Sequence, residues 1–110
     1  MRVPNAENAV VDIRKLRDYC LKPNHDEGKH KARMFAAAFG LTAKDAEVLR
    51  VVLLAAVQNN DANLGRFDRF GQRYTVDFEF EWRGRKAIVR SGWIIELDSD
   101  IPRLTTSFPF

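Results

Sequence analysis

Residues 72–97, QRYTVDFEFEWRGRKAIVRSGWIIEL, alternate apolar and polar side chains with a period of two. The side chains on one side of the first half are aromatic or aliphatic: Tyr74, Val76, Phe78, Phe80 and Trp82. Those on the other side are polar or charged: Arg73, Thr75, Asp77, Glu79 and Glu81. This pattern predicts a β-strand with one buried and one wet face, so another layer of the fold has to cover the aromatic face.

Gly84 and Arg85 divide this segment and predict a two-residue hairpin turn with glycine first. Such a turn sets these cross-strand pairs: Trp82–Ala87, Phe80–Val89, Phe78–Ser91, Val76–Trp93 and Glu79–Arg90. Apolar residues then meet on one face, and a carboxylate meets a guanidinium on the other. A slip of one residue would reverse both faces.

The residues before this hairpin have the spacing and the stop signals of helices. Three helices are predicted: about Ile13 to Leu21 with Asp12 as its cap, about Lys29 to Phe39 ended by Gly40, and one that Thr42 and Asp45 open. Residues 60–71 are predicted to be a mobile loop, and PRLTTSF (102–108) a returning strand. We therefore expect a single α+β domain over residues 1–110. About three helices in residues 1–60 would pack on one face of an antiparallel meander of three to four strands in residues 64–110.

The amino-acid composition limits the classes of protein to which this chain can belong. The chain has 110 residues, 45% of them hydrophobic, and a formal net charge of +3, which permits a polyanionic partner without requiring one. The single cysteine, Cys20, excludes an internal disulfide. No apolar run reaches the length of a membrane span, and the first residues lack a signal peptide's apolar segment. We expect a soluble, cytoplasmic protein without a membrane partner.

The polar face of the predicted sheet is one candidate site. Glu79 would stand opposite Arg90, flanked by Asp77, Arg73 and, on the last strand, Arg103. A carboxylate beside arginines can combine a general base with stabilisation of a charged phosphoryl transition state. The same pattern is also typical of a cross-strand salt bridge on a solvated face.

The second predicted helix offers other candidates. Lys31 lies at the edge of its apolar stripe, where packing can hold the stem while the ammonium stays wet. His30 points away from the core, and His25 lies in the irregular entry before Gly28, where its role is either catalytic or a local hydrogen bond. The two histidines lack the spacing of a metal site, so no metal or other cofactor is expected.

Four segments of the chain resemble a bacterial family of small uncharacterised domains found alone and as modules of toxin-like proteins. They are KLRDYCLKPNHDEGKHKARMFAAAFG, FGQRYTVDF, VRSGW and PRLTTSFPF. The family pattern places a histidine and a glycine before a lysine–alanine pair, which this chain meets with His25, Gly28, Lys31 and Ala32. It departs from the pattern at Asp26, where a proline is expected, and at Phe108, where relatives often have an aromatic hydroxyl.

That family is in turn similar to the ribonuclease superfamily of barnase, EndoU, colicin-type tRNases and RelE-type toxins. The resemblance implies a metal-independent, toxin-type endoribonuclease in which the RNA 2′-hydroxyl attacks the adjacent phosphate. It implies catalytic roles for Lys31, Arg90 and Thr106, with His25 as an acid or base. Together with the sheet-face pattern, the candidates are catalytic Lys31, Arg90, Thr106, His25 and Glu79, and substrate-binding Arg103, Arg73, Thr105 and Lys29. RNA and a cognate antitoxin or neighbouring gene product are the partners expected.

Two alternatives stay open. Strand alternation places Thr106 inward and Thr105 outward, so Arg90 and Thr106 share a face only if the last strand contains a bulge. The chain can also be a non-catalytic binding module, such as a partner or immunity-type subunit. It would then use the arginine-rich sheet face or the aromatic residues Phe67, Phe70 and Phe108 as an interface.

Overall fold

The computed structural model describes all residues, 1–110, and has helices first and a sheet second. A 3₁₀ turn at Ala6–Asn8 precedes the short helix α1 (Ile13–Lys15), which continues as a π-helical segment, Leu16–Cys20. Helix α2 (Lys29–Phe39), a 3₁₀ turn (Ala43–Asp45) and helix α3 (Ala46–Asn59) follow. The strands are β1 (Asn63–Asp68), β2 (Gly71–Trp82), β3 (Arg85–Glu96) and β4 (Arg103–Pro109).

The predicted α+β class is confirmed, with four strands in the antiparallel order β1-β2-β3-β4. The helical stop and start signals also act as predicted. Asp12 accepts the Arg14 amide at 3.0 Å, Gly40 ends α2 with φ 75°, and Thr42 and Asp45 form a capping box. None of the helices has the length and apolar composition needed to span a bilayer.

The helices cover the aromatic face of the sheet. Fully buried side chains from the two layers meet in one core: Leu16, Phe35, Phe39, Leu49, Leu53, Val57, Val76, Val89, Trp93 and Leu104. Inside this core Trp93 Nε1 donates to Ser91 Oγ at 2.9 Å, and Ser91 Oγ donates to the Val76 carbonyl at 2.8 Å. The Trp93 indole N–H and the Ser91 hydroxyl therefore both have hydrogen-bond partners inside the core.

The predicted hairpin register is wrong by two residues. The turn is Arg83-Gly84, with φ 51° and 81°, and not Gly84-Arg85. Positive φ at both turn residues matches the right-handed twist of the flanking strands. The pairs become Trp82–Arg85, Phe80–Ala87, Phe78–Val89, Val76–Ser91, Tyr74–Trp93 and Asp77–Arg90. Because a shift of two residues keeps every side chain on its face, the predicted faces survive the error.

Residues 60–71, predicted to be a mobile loop, contain β1 instead. Leu64 pairs with Tyr74 and Phe67 with Gln72, and a bulge separates the two pairs. At the opposite edge, Val10 covers the beginning of β4: its amide donates to the Pro102 carbonyl at 2.9 Å. Beyond that bridge the Leu16–Cys20 segment and α2 lie beside β4.

The turn assignment predicts opposite outcomes for two neighbouring arginines. Arg83→Asn should stabilise the fold by about 1 kcal/mol, because asparagine adopts left-handed backbone at lower cost than arginine. Arg85→Asn should change the free energy of unfolding by less than about 0.5 kcal/mol, because Arg85 is an exposed strand residue. Urea unfolding of both variants measures this, and stabilisation by Arg85→Asn alone would support the other turn.

A second stability prediction concerns Gly28, where the sign of the change in the free energy of unfolding decides between two arguments. Its φ of −87° is ordinary for alanine, so from the backbone alone Gly28→Ala would stabilise by about 0.4–1 kcal/mol. A Cβ at Gly28 would however collide with the Tyr19 carbonyl oxygen. We expect destabilisation of about 1–3 kcal/mol by overpacking, measured as a lower urea midpoint with an unchanged slope. A stabilised variant would contradict this backbone contact.

Candidate functional site

The entry to α2 is built on His25. Its Nδ1 accepts hydrogen bonds from the amides of Glu27, at 3.0 Å, and Gly28, at 2.9 Å. Amides at this end of a helix have no intrahelical partner, so His25 satisfies two of them. An atom that accepts two N–H groups carries no proton, which places the proton of the neutral ring on Nε2. In this conformation the free ring nitrogen of His25, Nε2, is a hydrogen-bond donor, and neither nitrogen is available to accept a proton.

Tyr19, in the π-helical segment, is the side chain around which the other groups gather. The His25 ring meets the Tyr19 ring edge to face, with centroids 4.9 Å apart. Lys31 Nζ donates to Tyr19 Oη at 3.3 Å, and the Nζ atoms of Lys15 and Lys31 lie 5.3 Å and 5.2 Å from the ring centroid. Tyr19 and Lys15 were not among the predicted site residues, although their four-residue spacing places them on one side of a helical turn.

These side chains border an open cleft of about 430 Å³, here called the basic cleft. It is lined by Asp12, Arg14, Lys15, Tyr19, His25, Arg103 and Leu104. The first helical segment, the loop before α2 and strand β4 each contribute to it. Elements distant in sequence therefore bring Lys15, His25 and Arg103 to one place. Lys31 does not line the cleft, but it lies next to it through its hydrogen bond to Tyr19 Oη.

Two cations at the basic cleft have no carboxylate partner. The only carboxylate that lines the cleft, Asp12, is paired with Arg14, with an Nη2–Oδ2 distance of 2.7 Å. Arg103 is paired with Glu96 at 3.1 Å. Hydrogen bonds from the Arg14 side chain, and then from its amide, lower the pKa of Asp12 to about 2. No carboxylate lies within 4.0 Å of Lys15 or Lys31. Both ammonium groups are therefore available to an anion.

The outer face of the sheet, by contrast, is internally neutralised. Arg90 binds Asp77 through two bonds of 2.9 Å, and this carboxylate raises the pKa of Arg90. Arg73 pairs with Asp68 at 3.1 Å. The predicted opposition of Glu79 and Arg90 is wrong, because the two-residue register shift places Glu79 opposite Ile88, and Glu79 reaches Lys86 at 3.6 Å. The predicted cluster of Glu79, Arg90 and Arg103 is not assembled.

Both threonines of β4 lie on the same face as Arg90. Gly92 pairs with Thr106 and the next residue, Trp93, with Leu104, so Thr105 is the extra residue of a bulge. A Cβ at Gly92 would lie 3.0 Å from Thr105 Oγ1 and 3.1 Å from Thr106 Cγ2. The bulge turns both side chains over Gly92, which removes the conflict between the two alternatives. Neither threonine lines the basic cleft.

Phe108 lies next to predicted residues from both layers of the fold. Its Cα pairs with that of Arg90, and its ring centroid lies 5.9 Å from Lys31 Nζ. His25 and Lys31 come from the helical layer, whereas Arg90, Arg73, Thr105 and Thr106 belong to the outer sheet face. Arg103 also belongs to that face, because its Cα pairs with that of Ile94 and its side chain binds Glu96, and it borders the basic cleft from there. The hydroxyl that lies beside Lys31 is that of Tyr19.

The remaining histidine and lysine of this region are not part of the cleft. His30 is exposed, as predicted, and Lys29 is half-buried in the first turn of α2. No group of three or more His, Cys, Asp or Glu side chains is arranged to hold a metal ion.

Comparisons with known proteins agree on the fold. The chain superposes on a chain of the contact-dependent growth inhibition toxin–immunity protein complex from Klebsiella pneumoniae 342 with a TM-score of 0.68. The two are 19% identical, and the alignment covers 93% of this chain and 100% of that chain. No curated protein has significant sequence similarity to it. The profile of one family, described as a domain of unknown function, matches residues 2–110, and the chain therefore belongs to that family, DUF6883.

Proposed function

We propose that this domain is a metal-independent endoribonuclease of a bacterial toxin system, acting on RNA in the cytoplasm. The observation that carries the proposal is the basic cleft together with the neighbouring Lys31: the unpaired ammonium groups of Lys15, in the cleft, and of Lys31, hydrogen-bonded to Tyr19, stand beside His25. An open site with cations and hydrogen-bond donors, and without a free carboxylate, fits a phosphodiester. The structural likeness to a chain of a toxin–immunity complex supports the biological setting.

The reaction proposed is transesterification. The RNA 2′-oxygen attacks the adjacent phosphorus and the P–O5′ bond breaks, which gives a 2′,3′-cyclic phosphate and a free 5′-hydroxyl. Lys15 and Lys31 stabilise the charge that develops on the phosphoryl oxygens. His25 Nε2–H and the Tyr19 hydroxyl donate hydrogen bonds to the same group. These donors are held in place before the substrate binds. Stabilisation of the transition state is greatest when the donors need no reorganisation.

The proton transfers in this proposal depend on which side chains of the cleft are free to accept or donate a proton. Asp12 is a poor base, because Arg14 occupies its oxygens and lowers its pKa to about 2. The proton of the 2′-hydroxyl therefore passes to water. The departing 5′-oxygen takes a proton from the Lys31 ammonium, which water then restores. Glu79, Arg90 and Thr106 are given no part in these steps, since none of them lines the cleft.

Substitution of Lys31 tests this function directly. We expect the purified chain to cleave RNA in the presence of EDTA, and Lys31→Ala to lower kcat/KM by roughly 10²–10³-fold, the loss typical of one transition-state donor. Lys44→Ala, which removes an exposed lysine in the Ala43–Asp45 turn, is the matched control and should keep full activity. The products should carry 2′,3′-cyclic phosphates, and a 2′-deoxy nucleotide at the cleaved position should block the reaction.

The same variants provide a test in the cell. Induced expression of the chain should arrest growth, and Lys31→Ala should relieve the arrest while Lys44→Ala does not. Robust growth with intact RNA at high expression of the unaltered chain would contradict the proposal.

A second candidate function, binding a protein partner without catalysis, is favoured by a different observation. Leu64 and Phe67 of β1 pair with Tyr74 and Gln72 on the helix-facing side of the sheet, yet they are 63% and 69% exposed. No helix covers that end of the sheet, and Phe70 beside it is exposed as well. A cognate or immunity-type partner would cover such a strip. A stable complex lost in Phe67→Asp, together with intact RNA, would select this function over the nuclease.

A further inference from the structure

A second concave surface lies next to Lys31. It is an apolar groove of about 360 Å³, here called the apolar groove, between α2 and the ends of β3 and β4. It is lined by Met34, Ala37, Ala38, Ala87, Pro109 and Phe110. Its volume is at the small end of ligand sites, and its lining offers almost no hydrogen-bonding groups.

Lys31 lines neither the apolar groove nor the basic cleft, but it is a neighbour of residues in both. Met34 follows Lys31 by three residues on α2, so their side chains are neighbours on the helix surface. Lys31 Nζ faces Phe108, and Pro109 and Phe110 of the groove follow directly in the chain. The Lys31 ammonium group is therefore close to both surfaces, to the cleft through Tyr19 and to the groove through Met34 and Phe108.

Phe110 is held in position although it is exposed. Its amide donates to the Ile88 carbonyl at 2.9 Å, which extends the pairing of β4 with β3. The Arg90 guanidinium carbon lies 4.5 Å from the Phe110 ring centroid, and Asp77 fixes that guanidinium in turn. The ring remains 60% exposed at the groove. A fixed and exposed aromatic ring loses little conformational entropy when a flat ligand stacks on it.

We propose that the apolar groove holds an unpaired nucleobase of the RNA strand whose phosphate lies in the basic cleft. The inference rests on the proposed ribonuclease function and adds the substrate class, single-stranded RNA. A nucleobase fits because it is flat, stacks on aromatic rings whatever its identity, and is tied by its sugar to a phosphate at Lys31. Arg90 then acts as a positioning residue for Phe110. Since the lining has few polar groups, the subsite should accept all four bases.

Base removal at one position tests the subsite. The substrates are a short single-stranded RNA and the same RNA with an abasic residue next to the cleaved phosphate, both used with the full chain. Phe110→Ala should raise KM for the first substrate by roughly 5- to 100-fold, as expected for loss of one base–aromatic stack, and leave KM for the abasic substrate unchanged. Ala37→Trp, which fills the groove from α2, should have the same effect without altering β4. Leu97→Ala, which removes an equally exposed apolar side chain elsewhere, is the control and should behave as the unaltered chain.

The outcomes separate the two proposals. Cleavage by the unaltered chain with the same KM in Phe110→Ala and Ala37→Trp overturns the base subsite and leaves the nuclease standing. Absence of cleavage by the unaltered chain overturns the nuclease, and the subsite falls with it. Unchanged cleavage in both groove variants, combined with loss of a co-encoded protein partner, would assign the groove to protein binding and overturn the inference.

Discussion

The two hydrogen bonds that His25 Nδ1 accepts from Glu27 and Gly28 are the contact on which the site depends. They close the loop before α2 and hold Gly28 against the backbone of Tyr19, an approach that only a residue without Cβ permits. One helical turn later Lys31 reaches the Tyr19 hydroxyl, and Ala32 is buried. Each residue of the spacing histidine, glycine, lysine, alanine therefore has a physical role. His25 accepts two hydrogen bonds and Gly28 allows the close backbone contact. Lys31 places its ammonium group at Tyr19, and Ala32 packs its methyl group in the interior.

The faces of the sheet could be predicted from the sequence, whereas the pairing across it could not. Alternation identifies which side chains share a face, and both the predicted and the observed registers satisfy it because they differ by two residues. The choice between them depends on Arg83 adopting left-handed backbone, which arginine rarely does. The bulge at Thr105 could not be predicted either. One unpaired residue changes which side chains share a face, and no residue type in the segment marks its position.

The candidate site could be predicted only in part, and the reason is electrostatic: the sequence does not show which cations are paired with carboxylates. The arginines of the second half of the chain are numerous, but Arg73, Arg90 and Arg103 each have a carboxylate partner. The cations beside Tyr19 that have no carboxylate partner are Lys15 and Lys31, which come from the helical half of the chain. Lys31 was predicted because it lies at the edge of an apolar stripe. Tyr19 was missed because its role comes from contacts that only the folded loop creates.

The protonation of the His25 ring is the most direct test of this arrangement, and ¹⁵N NMR of the two histidines measures it at a pH where the rings are neutral. His25 should be locked with its proton on Nε2 and with Nδ1 unprotonated. The exposed His30 serves as an internal control and should show averaged signals from both tautomers. A His25 ring that carries its proton on Nδ1, or that averages like His30, would show that the loop is not held as described and that Lys31 is not positioned by it.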